Sequence, residues 1–122
     1  GWHRMELQPQ LVSSGRGTER SSSPILTRQL RIAGNVYELT ISPKGDGVWR
    51  FELQSGKFGG MVPGGFKLRL LTEDLSSFEN NEDVAATAVE QLFLEVQVEA
   101  GDGLVWQTEP QPEGYEPEIL RF

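Results

Sequence analysis

The 122-residue chain contains no cysteine. That removes a disulfide framework, a thiolate nucleophile and any cysteine-ligated metal, and it fits a reducing compartment. Histidine is almost as scarce, with His3 the single copy, near the start of an unpatterned stretch. A Ser-His-Asp arrangement needs its base fixed within hydrogen-bond reach, which an imidazole in a loose terminus does not provide. No apolar run is long enough to span a bilayer, and the first residues show no apolar signal-peptide core. The expectation is a cytoplasmic protein with no membrane contact. Basic residues are also few, 11 Lys and Arg against 18 Asp and Glu, for a net charge of −7. Residues 1–31 hold five Arg and two Glu, whereas residues 32–122 hold six Lys or Arg and sixteen Asp or Glu. So acidic a body repels a phosphate backbone, and no nucleic-acid partner is expected.

Hydrophobic content is low at 37 %, which assigns part of the chain to unstructured sequence. Residues 1–24 fit that description. They carry Ser13, Ser14, Gly15, Gly17 and Ser21 to Ser23 without sustained periodicity, and read as a flexible basic lead-in to a single β-rich domain over 25–122. The first residue is Gly1 rather than Met, as in a piece of a longer polypeptide.

What the domain does have is alternation. Leu26, Arg28, Leu30 and Ile32 alternate with polar residues as a first strand. Tyr37, Leu39 and Ile41 precede Gly45-Asp46-Gly47, and Trp49, Phe51 and Leu53 follow it. Spacing by two places each set on one face of a strand, and Asp-Gly suits a reversal with φ > 0, so residues 36–42 and 48–54 are expected to form a hairpin. Leu92, Leu94, Val96 and Val98 precede Gly101-Asp102-Gly103, with Leu104 and Trp106 beyond, which by the same argument expects a second hairpin over about 91–108. Phe93, on the opposite face, suggests a strand covered on both sides. Further strands are expected from Phe66, Leu68 and Leu70 and from Glu118 to Phe122. Between them lies an acidic loop, Glu73 to Asp83, pinned by Leu75 and Phe78. Residues 82–91 allow either a short helix capped by Asn81 or extended chain favoured by Thr87 and Val89. The fold class is all-β, mainly antiparallel: a sandwich or barrel-like sheet of six to seven short strands.

Chemistry-bearing constellations are weak. Asp74, Glu79, Glu82 and Asp83 lack the ordered spacing of a calcium loop and read as a solvated acidic loop. Gly60 and Gly65 have Walker spacing, but Phe66 and Lys67 stand where Lys and Ser/Thr are required, and a strand pattern follows instead of a helix. Acidic pairs for glycoside hydrolysis have no distinguishing spacing. No catalytic residue, metal site or cofactor is expected. Trp49, Phe51 and Trp106 belong to inward-facing alternation and are assigned to the core. Phe58 and Met61, in the glycine-rich connection 55–65, are the interaction candidates, because exposed apolar residues grouped on one rim mark binding sites.

Three segments carry a resemblance: Met61 to Asp74 (MVPGGFKLRLLTED), Leu92 to Val98 (LFLEVQV) and Glu118 to Phe122 (EILRF). Together they resemble the C-terminal β-rich part of a cyanobacterial family, the domain of unknown function eighteen-twenty-two. The resemblance spans about residues 26–122. It implies a cytoplasmic cyanobacterial protein without established activity, and it transfers no catalytic residue. The reading that results is a non-catalytic β-domain that docks on another protein. Its alternatives are a small-ligand or carbohydrate sensor using Trp49, Trp106 or Tyr115 as a stacking platform, and a hydrolase working through paired carboxylates.

Overall fold

The computed structural model describes residues 25–122 and the backbone of Met5–Glu6. His3, Trp2 and the rest of the lead-in apart from Met5–Glu6 lie outside the described residues. In chain order the strands are β1 (Met5–Glu6), β2 (Leu26–Ile32), β3 (Asn35–Gly45), β4 (Val48–Ser55), β5 (Lys67–Thr72), β6 (Glu82–Val84), β7 (Gln91–Gln97), β8 (Gly103–Glu109) and β9 (Ile119–Arg121). One sheet has the order β2-β3-β4-β7 and the other β1-β9-β8-β5-β6. All pairings are antiparallel except β1 with β9. The sheets face each other as a sandwich and do not close into a barrel. Met5–Glu6 falls within the stretch that composition assigns to the lead-in, yet its backbone pairs with Leu120 and Arg121.

The first sheet follows the alternation residue by residue. Leu39, Leu53 and Leu92 stand side by side across β3, β4 and β7, as do Ile41, Phe51 and Leu94. Most of these inner side chains are fully buried against Leu68, Leu70, Leu104 and Trp106 of the facing sheet. Both hairpins in this sheet turn on two residues with positive φ, Ala33-Gly34 (52° and 86°) and Asp46-Gly47 (56° and 79°). That geometry matches the twist of the flanking strands. An irregularity between Pro43 and Gly45 draws the expected five-residue loop into β3, leaving a two-residue turn.

Several expectations are corrected. Residues 91–108 are not a hairpin, since β7 pairs with β4 while β8 pairs with β5 and β9, in the other sheet. The Gly101-Asp102-Gly103 segment is a corner between sheets. Its hydrogen bonds go to the chain end, from Gly101 N to Phe122 O and from Phe122 N to Asp102 O. Period-two alternation names the buried face of a strand but not its neighbour, so two unlike connections looked alike.

The helix considered for 82–91 is absent. Glu82–Val84 pairs with β5, and Val89 exchanges backbone hydrogen bonds with Val62 at 2.7 and 2.9 Å. Pairing along the open edge of β5 outweighs the helix preference of Ala85, Ala86 and Ala88. Asn81 is buried and acts as a loop anchor, its Nδ2 donating to Leu70 O at 2.7 Å.

The acidic loop is held by that asparagine and by Phe78, which packs on the core, whereas Leu75 stands exposed at φ 67°. Phe93 is likewise exposed on the outer face, where the Arg50 guanidinium lies 3.9 Å from its ring centroid.

Candidate functional site

The glycine-rich connection leaves β4 at Ser55 and regains the core at Val62. Its exit is tied by Gly56 N donating to Val36 O at 2.8 Å, and its far end by the Val62–Val89 bridge. Between these anchors the chain turns tightly: Gly60 N donates to Lys57 O at 2.9 Å, Lys57 N donates to Ser55 Oγ at 3.1 Å, and Gly59 has φ 75°. A Cβ at Gly60 would overlap Ser55 Oγ and stand 2.8 Å from Ser55 Cβ, so this close approach requires glycine. The turn projects Phe58 fully into solvent, with Met61 46 % exposed beside it. A cleft of about 550 Å³ adjoins them, reaching Gln54, Glu90 and Gln91. The two sequence-predicted interaction residues therefore share one ordered rim.

A second cleft, of about 580 Å³, opens between the sheets at the opposite end of the strands. Phe78, Val96, Val98 and Leu104 contribute its apolar lining and Glu73, Asp74 and Asp102 its acidic one. Arg121 holds Glu73 through two hydrogen bonds, at 2.6 and 2.9 Å, which lower the Glu73 pKa. Hydrogen bonds from Thr72 and Ser76 likewise lower that of Asp74. Sequence reasoning missed this cleft because its lining comes from four separate stretches of chain, none with a motif of its own.

A polar cluster links the sheets at the side of the sandwich. Glu118 accepts Arg28 Nε at 2.9 Å and Arg28 Nη2 at 3.0 Å, and also Trp106 Nε1 at 2.9 Å. Trp106 is only 4 % exposed and meets Tyr115 edge-on, with ring centroids 5.0 Å apart. The Tyr115 hydroxyl donates to Trp106 O. Trp49 is half-buried and packs edge-on against Phe122 at 5.0 Å. The tryptophans assigned to the core thus lie in it or against it.

Burial, and then the Glu118 charge, push the Tyr115 phenol from 10 up to about 12. The fold holds the neutral form, so this contribution is complete below pH 10 and is lost as pH rises towards about 12. Such a rise would correspond to about 2.7 kcal/mol for a group shut away from water, and solvent screening at half-buried Tyr115 reduces it to about 1 kcal/mol. Alkaline unfolding followed by circular dichroism should therefore show Tyr115→Phe losing less stability than the parent between pH 10 and 12. Equal losses would show that the phenol is already solvated in the folded state.

The acidic candidates do not converge. Glu82 pairs with Arg69 at 3.0 Å, Asp83 accepts Phe93 N at 3.0 Å, and Asp74 is bound within its own turn. Among the described residues no three His, Asp or Glu side chains are grouped to hold a metal ion. The Gly60–Gly65 stretch leads into β5 rather than a helix. Among the described residues no helix is long and apolar enough to cross a membrane.

The model of a family described as "Protein of unknown function (DUF1822)" matches residues 1–121. No curated protein and no solved structure matches the chain.

Proposed function

The chain belongs to the DUF1822 family of unknown function, and from that premise we propose that its β-domain is a non-catalytic interaction module that docks on another protein through Phe58 and Met61. The observation that carries this reading is the full exposure of Phe58 on a turn braced by its own hydrogen bonds. Burying a phenylalanine side chain yields about 1.5–3 kcal/mol. A braced turn loses little freedom when it docks, so more of that gain is retained as affinity. Among the described residues the ring has no packing partner, and with Met61 exposed beside it the two form an apolar group of the kind that marks interaction sites. The cytoplasm of a cyanobacterium is the setting proposed with it, on the resemblance of the Met61–Asp74, Leu92–Val98 and Glu118–Phe122 segments.

A photo-crosslinking benzoylphenylalanine placed at position 58 in the full chain, expressed in its own host, tests the reading. The same group at position 93, another exposed phenylalanine, is the control. Discrete adducts from position 58 alone are expected, and they should disappear when Met61→Ala is added. Phe58→Ala should leave the unfolding free energy within about 0.5 kcal/mol of the parent, as for exposed positions generally. Adducts equal at both positions, or none at 58, would overturn the docking role.

A further inference from the structure

The Phe58 tip and the acid-lined cleft lie at opposite ends of the same strands. β4 pairs with β7 from Val48↔Gln97 at the cleft end to Gln54↔Gln91 at the tip end. β5 begins at Lys67, on the tip side, and ends at Thr72 in the cleft. The two features are therefore about 20 Å apart along the strand direction at the usual rise per residue. They are also complementary. The tip presents an aromatic ring, a thioether and the adjacent Lys57, which among the described residues forms no ion pair. The cleft presents Phe78, Val96, Val98 and Leu104 together with Asp74 and Asp102, neither of which is paired with a cation among the described residues. Its volume of about 580 Å³ falls within the roughly 300–1,000 Å³ of binding clefts.

We propose that the partner seated in this cleft is a second copy of this chain, whose Phe58 enters between the sheets while its Lys57 meets Asp74 and Asp102. The inference rests on the docking role proposed for Phe58 and names its partner. Because tip and cleft lie at opposite ends of the strands, a copy that seats its tip in a neighbour leaves its own cleft open at the far end, so the contact is heterologous and association proceeds head to tail. A single finger in a cleft is a small interface, so the association is weak and responds to concentration and salt.

Sedimentation of the full chain from micromolar to millimolar concentration tests it. The weight-average mass of the parent should rise past that of a dimer. Phe58→Ala removes the finger, and Asp74→Lys turns the cleft against Lys57. Each should weaken self-association about tenfold or more, the loss expected at a central anchor. Gln97→Lys is a second cleft variant should Asp74→Lys disturb its own turn. Mixing is the decisive arm: Phe58→Ala retains a cleft and Asp74→Lys retains a finger, so together they should form a one-to-one pair that grows no further. Lys57→Glu should bind the Asp74→Lys cleft and restore part of the loss. A parent that stays monomeric to millimolar concentration, or a mixture that does not associate, overturns the copy-to-copy contact. Should position 58 nonetheless cross-link a different protein, the docking role stands and only this partner assignment falls. If neither association nor cross-link is seen, both fall.

Discussion

Glu118→Ala should lower the unfolding free energy by about 2–4 kcal/mol, measured by urea denaturation with unchanged m-value. The carboxylate joins the two sheets. Arg28 reaches it from β2 of one sheet through two parallel bonds, and the Trp106 indole reaches it from β8 of the other. Neither partner is well solvated, the side chains of Arg28 and Glu118 being 23 % and 12 % exposed. Removing the carboxylate therefore leaves a half-buried guanidinium and a buried N–H without their acceptor, and the cost is the desolvation of orphaned groups more than a lost attraction. Glu118→Gln retains an acceptor for the indole but not the charge, so its loss should be roughly half as large. A double-mutant cycle between Arg28→Ala and Glu118→Ala should return a coupling of about 1–3 kcal/mol. A coupling near zero, as for exposed ion pairs, would show that water already screens this cluster.

That cluster also marks the limit of what the sequence discloses. Period two is a local property, set by the geometry of one strand, and it named Leu39, Ile41, Phe51, Leu53, Leu68 and Leu70 as inward-facing, all of them buried. Pairing is not local. The two Gly-Asp-Gly turns share their residues but not their task. At the first, Asp46 and Gly47 both take positive φ and reverse the chain within one sheet. At the second, only Gly101 does (93°), and the chain crosses to the other sheet. What directs it there is the backbone of Phe122, whose carbonyl accepts from Gly101 N and whose N–H donates to Asp102 O. Both contacts come from distant sequence. Phe58 and Met61 were legible as exposed because glycines surround them and no alternation includes them. The cleft was not, because Phe78, Val96, Val98 and Leu104 read individually as core residues and become its lining only where two sheets part. Arg28 and Glu118, ninety positions apart, carry no motif that joins them.

Two phenylalanines on neighbouring strands bring the same distinction to measurement. Phe51→Ala should cost about 3–5 kcal/mol, because its ring is 0 % exposed, lies between Ile41 and Leu94, and packs near Phe122 with centroids 6.3 Å apart. A domain of ordinary stability, about 5–15 kcal/mol, would be brought close to unfolding. Phe93→Ala removes the same atoms, yet the side chain is 42 % exposed and its described aromatic-face contact is the Arg50 guanidinium. Exposed cation–π contacts contribute about 0.5–1 kcal/mol, so the loss should not exceed about 1 kcal/mol. Arg50 also keeps Glu52 at 3.1 Å and Glu95 at 2.9 Å, so it has other partners once the ring is gone. Thermal and urea unfolding of the two variants side by side should separate them by at least about 2 kcal/mol. The separation matters because Phe93 lies one residue from buried Leu92 and Leu94. If Phe93→Ala proved as costly as Phe51→Ala, the outer face of β7 would have to be covered, and the sandwich would bury both faces of that strand instead of one.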